Sequence, residues 1–361
     1  MTYAHDARAL DDEILHCIAT NGVTGFDDLA LRIFAHQLRY NQPYAAYAAS
    51  LGVTLDAMPR TWDAIPPVPA AAYKEAALCT FDPTDAALAF ETSGTTKGVG
   101  GKHYMETAEL YDAALLAGFR RGVLFGTNRP LRYLLLVPDP RERPHSSLGY
   151  MMRKVADVFG DSRDAWYLHD DALDVDRLIR DIGSARRDGV PVCLAGTAFA
   201  FVNLLDALKG QGISPLPLQP GSRIMETGGF KGRTRIVQRG ELYAGLAQLF
   251  SIPEQHIIAE YGMTELTSQY YDTTFDAVRI KSGPPWLRPR VVGADGKTLP
   301  DGTVGALVHV DLANRSSCIA IQTEDLGVAT AGGIVLIGRE QGAQLRGCSL
   351  DAEQLQTLAL R

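Results

Sequence analysis

The sequence lacks several features that define whole classes of protein. No stretch approaches 18 uninterrupted apolar residues, so no membrane-spanning helix is expected. The polar and acidic start, MTYAHDARALDDEILHC, has neither the basic nor the apolar region of a secretory signal peptide. Basic residues are too few for a general nucleic-acid binder, because 35 Lys and Arg stand against 42 Asp and Glu. A cytoplasmic enzyme without a nucleic-acid partner is therefore expected.

Paired cysteines are also lacking. The five cysteines, Cys17, Cys79, Cys193, Cys318 and Cys348, lie far apart, and their number is odd. This spacing argues against a disulfide framework and against a zinc site.

What the sequence does have is length and apolar content, with 46% hydrophobic residues in a chain of 361. That is enough for a large core divided into two or three lobes.

The hydrophobic patterns predict an α/β protein. Apolar residues at helical spacing predict helices over residues 7–55, and strand and helix patterns alternate after the Pro-rich segment WDAIPPVP. The continuous apolar run LRYLLLVP predicts a strand that is buried on both faces. Later, short strands with Asp-Gly turns predict hairpins or a small barrel. The predicted parts are a helical N-terminal segment (1–60), an α/β domain (61–339) that is β-rich from about residue 281, and a C-terminal remnant with one helix (340–361).

One loop is rich in groups that bind phosphate. The segment FETSGTTKGVGGKHY, residues 90–104, lies between a strand pattern and a helical pattern. Strand, glycine loop and helix together predict an anion site, since backbone N–H groups and a helix N-terminus both attract phosphate. The segment does not match the P-loop NTPase motif, because His103 follows Lys102 and Thr96 stands where that motif has its first glycine. For this loop alone, a flexible surface turn is the alternative.

Four segments in a fixed order carry a resemblance to a known family. They are TSGTTKG (92–98), EYGMTE (260–265), TEDL (323–326) and IGR (337–339). Together they resemble the motifs of the adenylate-forming superfamily, which includes acyl-CoA synthetases and firefly luciferase. TGGFKGRTR, YGMTELTSQYY and GREQGAQLRGCSL are similar to the acyl-protein synthetase branch, the ligases of bacterial bioluminescence. Length and motif set also resemble the compact adenylating enzyme of phenazine antibiotic biosynthesis.

The resemblance implies a fold and one departure from it. The implied fold is the layered α/β/α/β/α N-terminal domain of adenylate-forming enzymes, with a small β-barrel-like subdomain. Most members continue into a C-terminal domain that supplies a catalytic lysine. Here 22 residues follow Arg339 and no lysine follows Lys297, so that domain is expected to be absent. Adenylation would then use another cation, either one from a partner or Lys97, Lys102 or Lys231.

The resemblance also implies a reaction. ATP and Mg²⁺ would serve to activate a small-molecule carboxylate as its acyl-adenylate, and the acyl group would pass to a thiol acceptor or to a partner acyl reductase that makes an aldehyde. The acid would be fatty or aromatic, such as a phenazine carboxylate. Two alternatives from other classes are a non-catalytic acyl- or nucleotide-binding relic and a different ATP-using enzyme, such as a small-molecule kinase.

Individual residues receive roles from the same resemblance. The catalytic candidates are Lys102, Thr264, Glu265 and Cys348, with Glu265 also as the magnesium ligand. The candidates for contact with ATP are Thr92, Ser93, Gly94, Thr95, Thr96, Lys97, Gly98, Gly228, Gly229, Glu260, Tyr261, Gly262, Met263, Asp325 and Arg339. The candidates for the substrate pocket are His145, Tyr150, Phe199, Phe201 and Phe230. Core packing is the alternative for Phe199 and Phe201, solvation for Lys97 and Lys102, and an exposed loop acid for Asp325.

Cys348 is the candidate acyl carrier. Ser349 is predicted to cap the last helix, with Asp351 and Glu353 in its first turn. A helix N-terminus and the nearby Arg346 both favour the thiolate. The alternative is a small buried hydrophobic residue.

Overall fold

A computed structural model of the chain describes residues 2–92, 100–228, 238–276 and 278–339. The α-helices are α1 (Tyr3–Thr20), α2 (Phe26–Tyr40), α3 (Gln42–Ser50), α4 (Glu109–Gly122), α5 (Ser147–Phe159), α6 (Val175–Arg187), α7 (Ala198–Gly210) and α8 (Arg239–Phe250). The strands are β1 (Val68–Pro69), β2 (Leu88–Glu91), β3 (Lys102–Met105), β4 (Arg132–Pro138), β5 (Ala165–His169), β6 (Ala172–Leu173), β7 (Val192–Thr197), β8 (Arg223–Thr227), β9 (Ile257–Tyr261), β10 (Tyr270–Asp272), β11 (Lys281–Ser282), β12 (Leu287–Val292), β13 (Val304–Asp311), β14 (Ala320–Thr330) and β15 (Gly333–Arg339). Short 3₁₀ helices lie at Trp62–Ala64, Ala70–Lys74, Pro83–Asp85 and Glu254–His256.

The predicted N-terminal helices are confirmed. In α1 the buried residues Leu10, Ile14 and Ile18 recur every fourth position, which places them on one face of the helix. Helix α3 begins where the side chain of Asn41 accepts a hydrogen bond from the backbone N–H of Tyr44. None of the helices in the described ranges is long and apolar enough to cross a membrane.

The chain folds into two compact units, each discontinuous in sequence. Unit 1 takes the described residues up to Gly118, those of Met263–Gln269 and those from Ile280 onward. Unit 2 takes Phe119–Gly262 and Tyr270–Arg279. The predicted boundaries at residues 60 and 339 stay a prediction.

In unit 1 the first and last parts of the chain share one hydrophobic core. Helices α1 to α3 pack with Trp286 and with strand residues such as Ile321. A buried ion pair reinforces this contact, since the Arg315 guanidinium donates from Nε and Nη2 to the two carboxylate oxygens of Asp11, at 2.7 and 2.8 Å. A bidentate pair of this kind fixes direction as well as distance.

The sheet of unit 1 is mostly antiparallel. Its order is β12-β13-β14-β15-β11, and β1 pairs in parallel with β14. The predicted Asp-Gly turns lie beside these strands, with Gly296 and Gly302 at φ of 75° and 83°. Glycine adopts this left-handed conformation at little cost.

The sheet of unit 2 is mostly parallel. Its order is β10-β9-β8-β7-β4-β5-β6, with β9, β8, β7, β4 and β5 parallel. Every residue of β4 except its last is buried, as the apolar run predicted. Leu134 and Leu136 of that strand share a second hydrophobic core with residues of α6, α7 and α8.

One predicted arrangement is wrong. The glycine loop does not lead directly into a helix, because β3 follows it and pairs antiparallel with β2, from Leu88 opposite Met105 to Glu91 opposite Lys102. The buried residues of β3, His103 and Met105, alternate with the exposed Lys102 and the half-buried Tyr104, which is the periodicity of a strand. The loop therefore connects the two strands of a β-hairpin, and a strand rather than a helix follows it.

Candidate active site

Several predicted residues of unit 2 follow the carboxyl ends of neighbouring parallel strands. Segments with His145 and Tyr150 come after β4, Phe199 after β7, Gly228 after β8 and Tyr261 at the end of β9. These four strands are adjacent in the sheet, so their carboxyl ends share one edge. The crevice at that edge is where open α/β sheets bind ligands.

The ends of β8 and β9 are joined by a side-chain hydrogen bond. Thr227 lies opposite Glu260 in the parallel register, and its hydroxyl donates to the Glu260 carboxylate. Gly228 follows in the left-handed region, at φ 77°, where a residue with Cβ would be strained. The Tyr261 ring lies 5.9 Å from that of Tyr270, measured between centroids. This edge thus combines a tight turn at Gly228 with two neighbouring aromatic rings.

The predicted substrate residues lie in different surroundings. His145 is exposed on the turn ahead of α5, whereas Tyr150 is half-buried in α5 with the Lys154 ammonium 5.5 Å from its ring centroid. Phe199 is half-buried, but Phe201 is 0% exposed within the hydrophobic core of unit 2. For Phe201 the structure therefore favours the packing role over a pocket wall. Gly229 and Phe230 lie outside the described residues.

The hairpin β2–β3 holds the base of the predicted phosphate loop. The backbone N–H of Thr92 donates to the Gly101 carbonyl and the Thr92 hydroxyl accepts from the Gly101 N–H, both at 2.8 Å. A Cβ on Gly101 would lie 2.9 Å from the Tyr73 carbonyl carbon, so only glycine fits there. Ser93, Gly94, Thr95, Thr96, Lys97 and Gly98 lie outside the described residues. Their phosphate role stays a prediction.

Lys102 lies on the exposed side of the same hairpin. Its ammonium is 3.1 Å from Oε1 of Glu91, directly across the strand pair, and the two side chains are 47% and 42% exposed. The Glu91 carboxylate raises the pKa of Lys102, so the side chain is charged at neutral pH. An exposed pair of this kind contributes little to stability, and the lysine can leave it without a large penalty.

Glu265, the predicted magnesium ligand, lies in a segment of unit 1 whose backbone carbonyls accept hydrogen bonds from two distant side chains. Nδ1 of His103 donates to the Thr264 carbonyl at 2.8 Å, and Nδ2 of Asn314 donates to the Glu265 carbonyl at 2.9 Å. The Asn314 side chain also accepts from the backbone N–H of Thr267 at 2.8 Å. Glu265 itself is 7% exposed.

A buried carboxylate holds the next part of this segment. Asp311 accepts hydrogen bonds from the backbone N–H groups of Thr267 and Ser268, at 3.2 and 2.8 Å, and from the Ser268 hydroxyl at 2.9 Å. Burial raises the pKa of Asp311 to about 6, while these donors act to lower it. Sequence reasoning missed His103, Asn314 and Asp311 as parts of the site, because each acts on a segment more than 40 positions away.

Glu265 would offer a metal ion one carboxylate. A carboxylate such as that of Glu265 is the hard oxygen ligand that Mg²⁺ takes in small number, with waters and phosphate oxygens completing its shell. Within the described ranges, no group of three or more His, Cys, Asp or Glu gathers to hold a metal ion. Among the described residues, an ion at Glu265 would therefore find this carboxylate without a surrounding cluster of such ligands.

The third and fourth motifs meet in one strand pair of unit 1. Asp325 of β14 lies opposite Arg339 of β15 in the antiparallel register, and a bulge follows at Leu326. The backbone N–H of Asp325 donates to the Thr323 hydroxyl at 3.1 Å, and the side chain of Asp325 is partly exposed. TEDL and IGR are thus neighbours in space although they are separate in sequence.

The described cysteines are all buried. Burial raises the pKa of Cys17, Cys79, Cys193 and Cys318, which keeps these thiols protonated. None of the four suits the role of nucleophile. Cys348 and its predicted helix lie outside the described residues, so its carrier role stays a prediction.

Comparisons with known proteins agree with this fold. A 2-hydroxyisobutyryl-CoA ligase in its postadenylation state, bound to 2-HIB-AMP, matches with a TM-score of 0.65 at 14% identity, over 91% of this chain and 72% of that one. A structural similarity at this low sequence identity shows the fold alone. The chain spans about half (48%) of the length of another solved structure, McyG A-PCP with phenylalanyl-adenylate, at 18% identity and a TM-score of 0.49.

The fold is thus that of the N-terminal domain of adenylate-forming enzymes. The family model described as "Acyl-protein synthetase, LuxE" matches residues 10–357, so the chain belongs to the LuxE acyl-protein synthetase family and is a ligase. A similar protein is the long-chain-fatty-acid–luciferin-component ligase of Aliivibrio fischeri, 22% identical over 310 residues, which are 84% of this chain and 78% of that protein.

Proposed function

We propose that this ligase activates a carboxylic acid with ATP and Mg²⁺, forming an acyl-adenylate and pyrophosphate. Membership of the acyl-protein synthetase family is the observation that carries the proposal. The held segment around Glu265 supports it, since a metal ligand is effective only when its direction is fixed.

The chemistry requires two anions to meet. A carboxylate oxygen bonds to the α-phosphorus of ATP, and the bond from that phosphorus to the β-phosphate oxygen breaks. Thr92 and the loop after it would hold the β- and γ-phosphates, and Tyr261 and Gly228 would contact adenine. Mg²⁺ held by Glu265 would neutralise phosphate charge.

We propose that the acyl group then moves to a thiol, with AMP as the leaving group, or directly to a partner. A partner reductase that brings its own reductant would convert the acyl group into an aldehyde. The Cys348 thiol is the proposed acceptor on this chain.

Two substrate classes are proposed in order. A long-chain fatty acid comes first, because the relative from Aliivibrio fischeri is named for that substrate. An aromatic acid such as a phenazine carboxylate comes second, because the half-buried Tyr150 and Phe199 suit a flat ring.

The test is ATP-dependent pyrophosphate release with a panel of fatty and aromatic acids, alone and with a partner reductase. Release of AMP and pyrophosphate with one class supports the proposal and selects the substrate. ADP and phosphate as products would instead identify a kinase. ATP binding without turnover, with every acid and partner, would identify a binding protein.

Asp325→Asn is expected to weaken ATP binding by about 1.5–3 kcal/mol, because the change removes a charged acceptor for ribose hydroxyls. Isothermal titration with ATP measures the effect. Glu324→Gln is the matched control, since the adjacent strand residue faces the opposite side and should leave affinity unchanged. Equal affinities for the two variants would make Asp325 an ordinary surface acid.

Lys102→Ala is expected to slow pyrophosphate release by about tenfold or more while changing ATP affinity less, because its charge matters most when the α-phosphate gains oxygens. The control is Glu91→Gln, which removes the partner of Lys102 and leaves the lysine in place. If both variants behave alike, Lys102 serves only the hairpin, and Lys97, Lys231 or a partner supplies the cation.

A further inference from the structure

Two consecutive carbonyls around Glu265 are held by side chains from separate segments. The Thr264 carbonyl accepts from His103 at 2.8 Å, and the Glu265 carbonyl accepts from Asn314 at 2.9 Å. These carbonyls belong to the two peptide planes on either side of the Glu265 Cα. Because the peptide planes are rigid, fixing both of them fixes φ and ψ of Glu265. The direction of its Cα–Cβ bond is then set by the two donors.

The two donors belong to different parts of the fold. Asn314 belongs to the same hydrogen-bonded network as Asp311 and Thr267, which is local to the segment. His103 belongs to β3, in the hairpin whose loop is the predicted phosphate site. It lies opposite Phe90 and is 1% exposed, so its position follows that of the hairpin.

The His103 side chain is held as one neutral tautomer. A carbonyl oxygen only accepts, so the proton must be on Nδ1, and burial lowers the pKa of His103 to about 4. The ring packs edge-on against Tyr73 with centroids 5.7 Å apart. A Cβ on Gly101, at the base of the loop, would lie 2.9 Å from the Tyr73 carbonyl carbon, so the two backbones lie close together. The His103 imidazole therefore links the β2–β3 hairpin to the segment that contains Glu265.

We propose that His103 is a positioning residue that fixes the direction of Glu265 relative to the β2–β3 hairpin through the Thr264 carbonyl. The inference rests on the proposed function, in which Glu265 holds Mg²⁺. Because His103 belongs to β3, the hairpin sets the direction of the proposed metal ligand through this one hydrogen bond.

The test compares His103→Leu with His103→Asn. Leucine fills similar space without a donor, whereas the asparagine amide nitrogen lies near the place of Nδ1 and can still donate to Thr264. His103→Leu should raise the Mg²⁺ concentration for half-maximal pyrophosphate release by roughly 10- to 100-fold, the usual cost of losing a residue that orients a metal ligand. His103→Asn should stay within about threefold of the wild type, since its hydrogen bond survives.

A matched control separates positioning from stability. His36 is also fully buried, and its Nδ1 lies 3.1 Å from Asp6, so His36→Leu removes a comparable hydrogen bond away from Glu265. The His36→Leu substitution should lower the melting temperature and leave the Mg²⁺ requirement unchanged. If His103→Leu does not fold, His103→Gln takes its place, because its amide lies about one bond too far out to replace Nδ1.

Two results would overturn the inference. One is a wild-type Mg²⁺ requirement in folded His103→Leu or His103→Gln. The other is equal impairment of His103→Asn and His103→Leu. Absence of pyrophosphate release in the wild type would instead contradict the proposed function. In that case the Mg²⁺ dependence of ATP binding, measured by calorimetry on the same variants, still tests the alignment.

Discussion

Glu265→Gln is expected to lower the rate of pyrophosphate release by roughly 10²-fold or more, the scale of losing a key electrostatic stabiliser. The substitution keeps the shape of the side chain and removes its charge. It also leaves the hydrogen bonds of His103 and Asn314 intact, because both are made to backbone carbonyls. The loss should therefore reflect weaker Mg²⁺ binding rather than a displaced segment.

The measurement is the release rate over a range of Mg²⁺ concentrations. Glu254→Gln is the control, since the same change at this exposed glutamate should leave the rate and the Mg²⁺ requirement as they are. A near-normal rate in Glu265→Gln at low Mg²⁺ would refute the assignment of Glu265 as the metal ligand.

Cys348→Ser is expected to abolish the covalent acyl label while adenylation continues. A serine hydroxyl is far less ionised than a thiol and so attacks the acyl-adenylate much more slowly. The buried, protonated thiols of Cys17, Cys79, Cys193 and Cys318 offer no substitute.

The assay follows a labelled acid onto the protein in the presence of ATP, with pyrophosphate release measured in parallel. Cys17→Ser applies the same substitution to a cysteine buried in α1 and should keep the label. A label that survives in Cys348→Ser would exclude Cys348 as carrier. A wild type that forms adenylate but never takes a label would favour direct delivery to a partner.

Much of the fold was predictable because burial leaves periodic patterns in sequence. The interval of four residues between Leu10, Ile14 and Ile18 indicated a helix. The apolar run of β4 indicated a strand covered on both faces. The motifs indicated the superfamily, and the family match confirms that reading.

The β2–β3 hairpin around the glycine loop was not predicted, because its second strand is only four residues long. A strand of that length leaves two inward positions, here His103 and Met105, and two points do not define a period. What makes it a strand is its pairing with β2, which the short pattern of β3 does not show by itself.

The sequence by itself determined the types of element, the order of the motifs and hence the superfamily, because these depend on patterns within a few neighbouring residues. Only the tertiary structure decided what holds Glu265, since His103 lies 161 positions from Thr264 and Asn314 lies 49 from Glu265. It also decided that α1 and Arg315, 304 positions from Asp11, share one core. A hydrogen bond between distant segments follows from packing of the whole chain, and it leaves no local period from which it can be read.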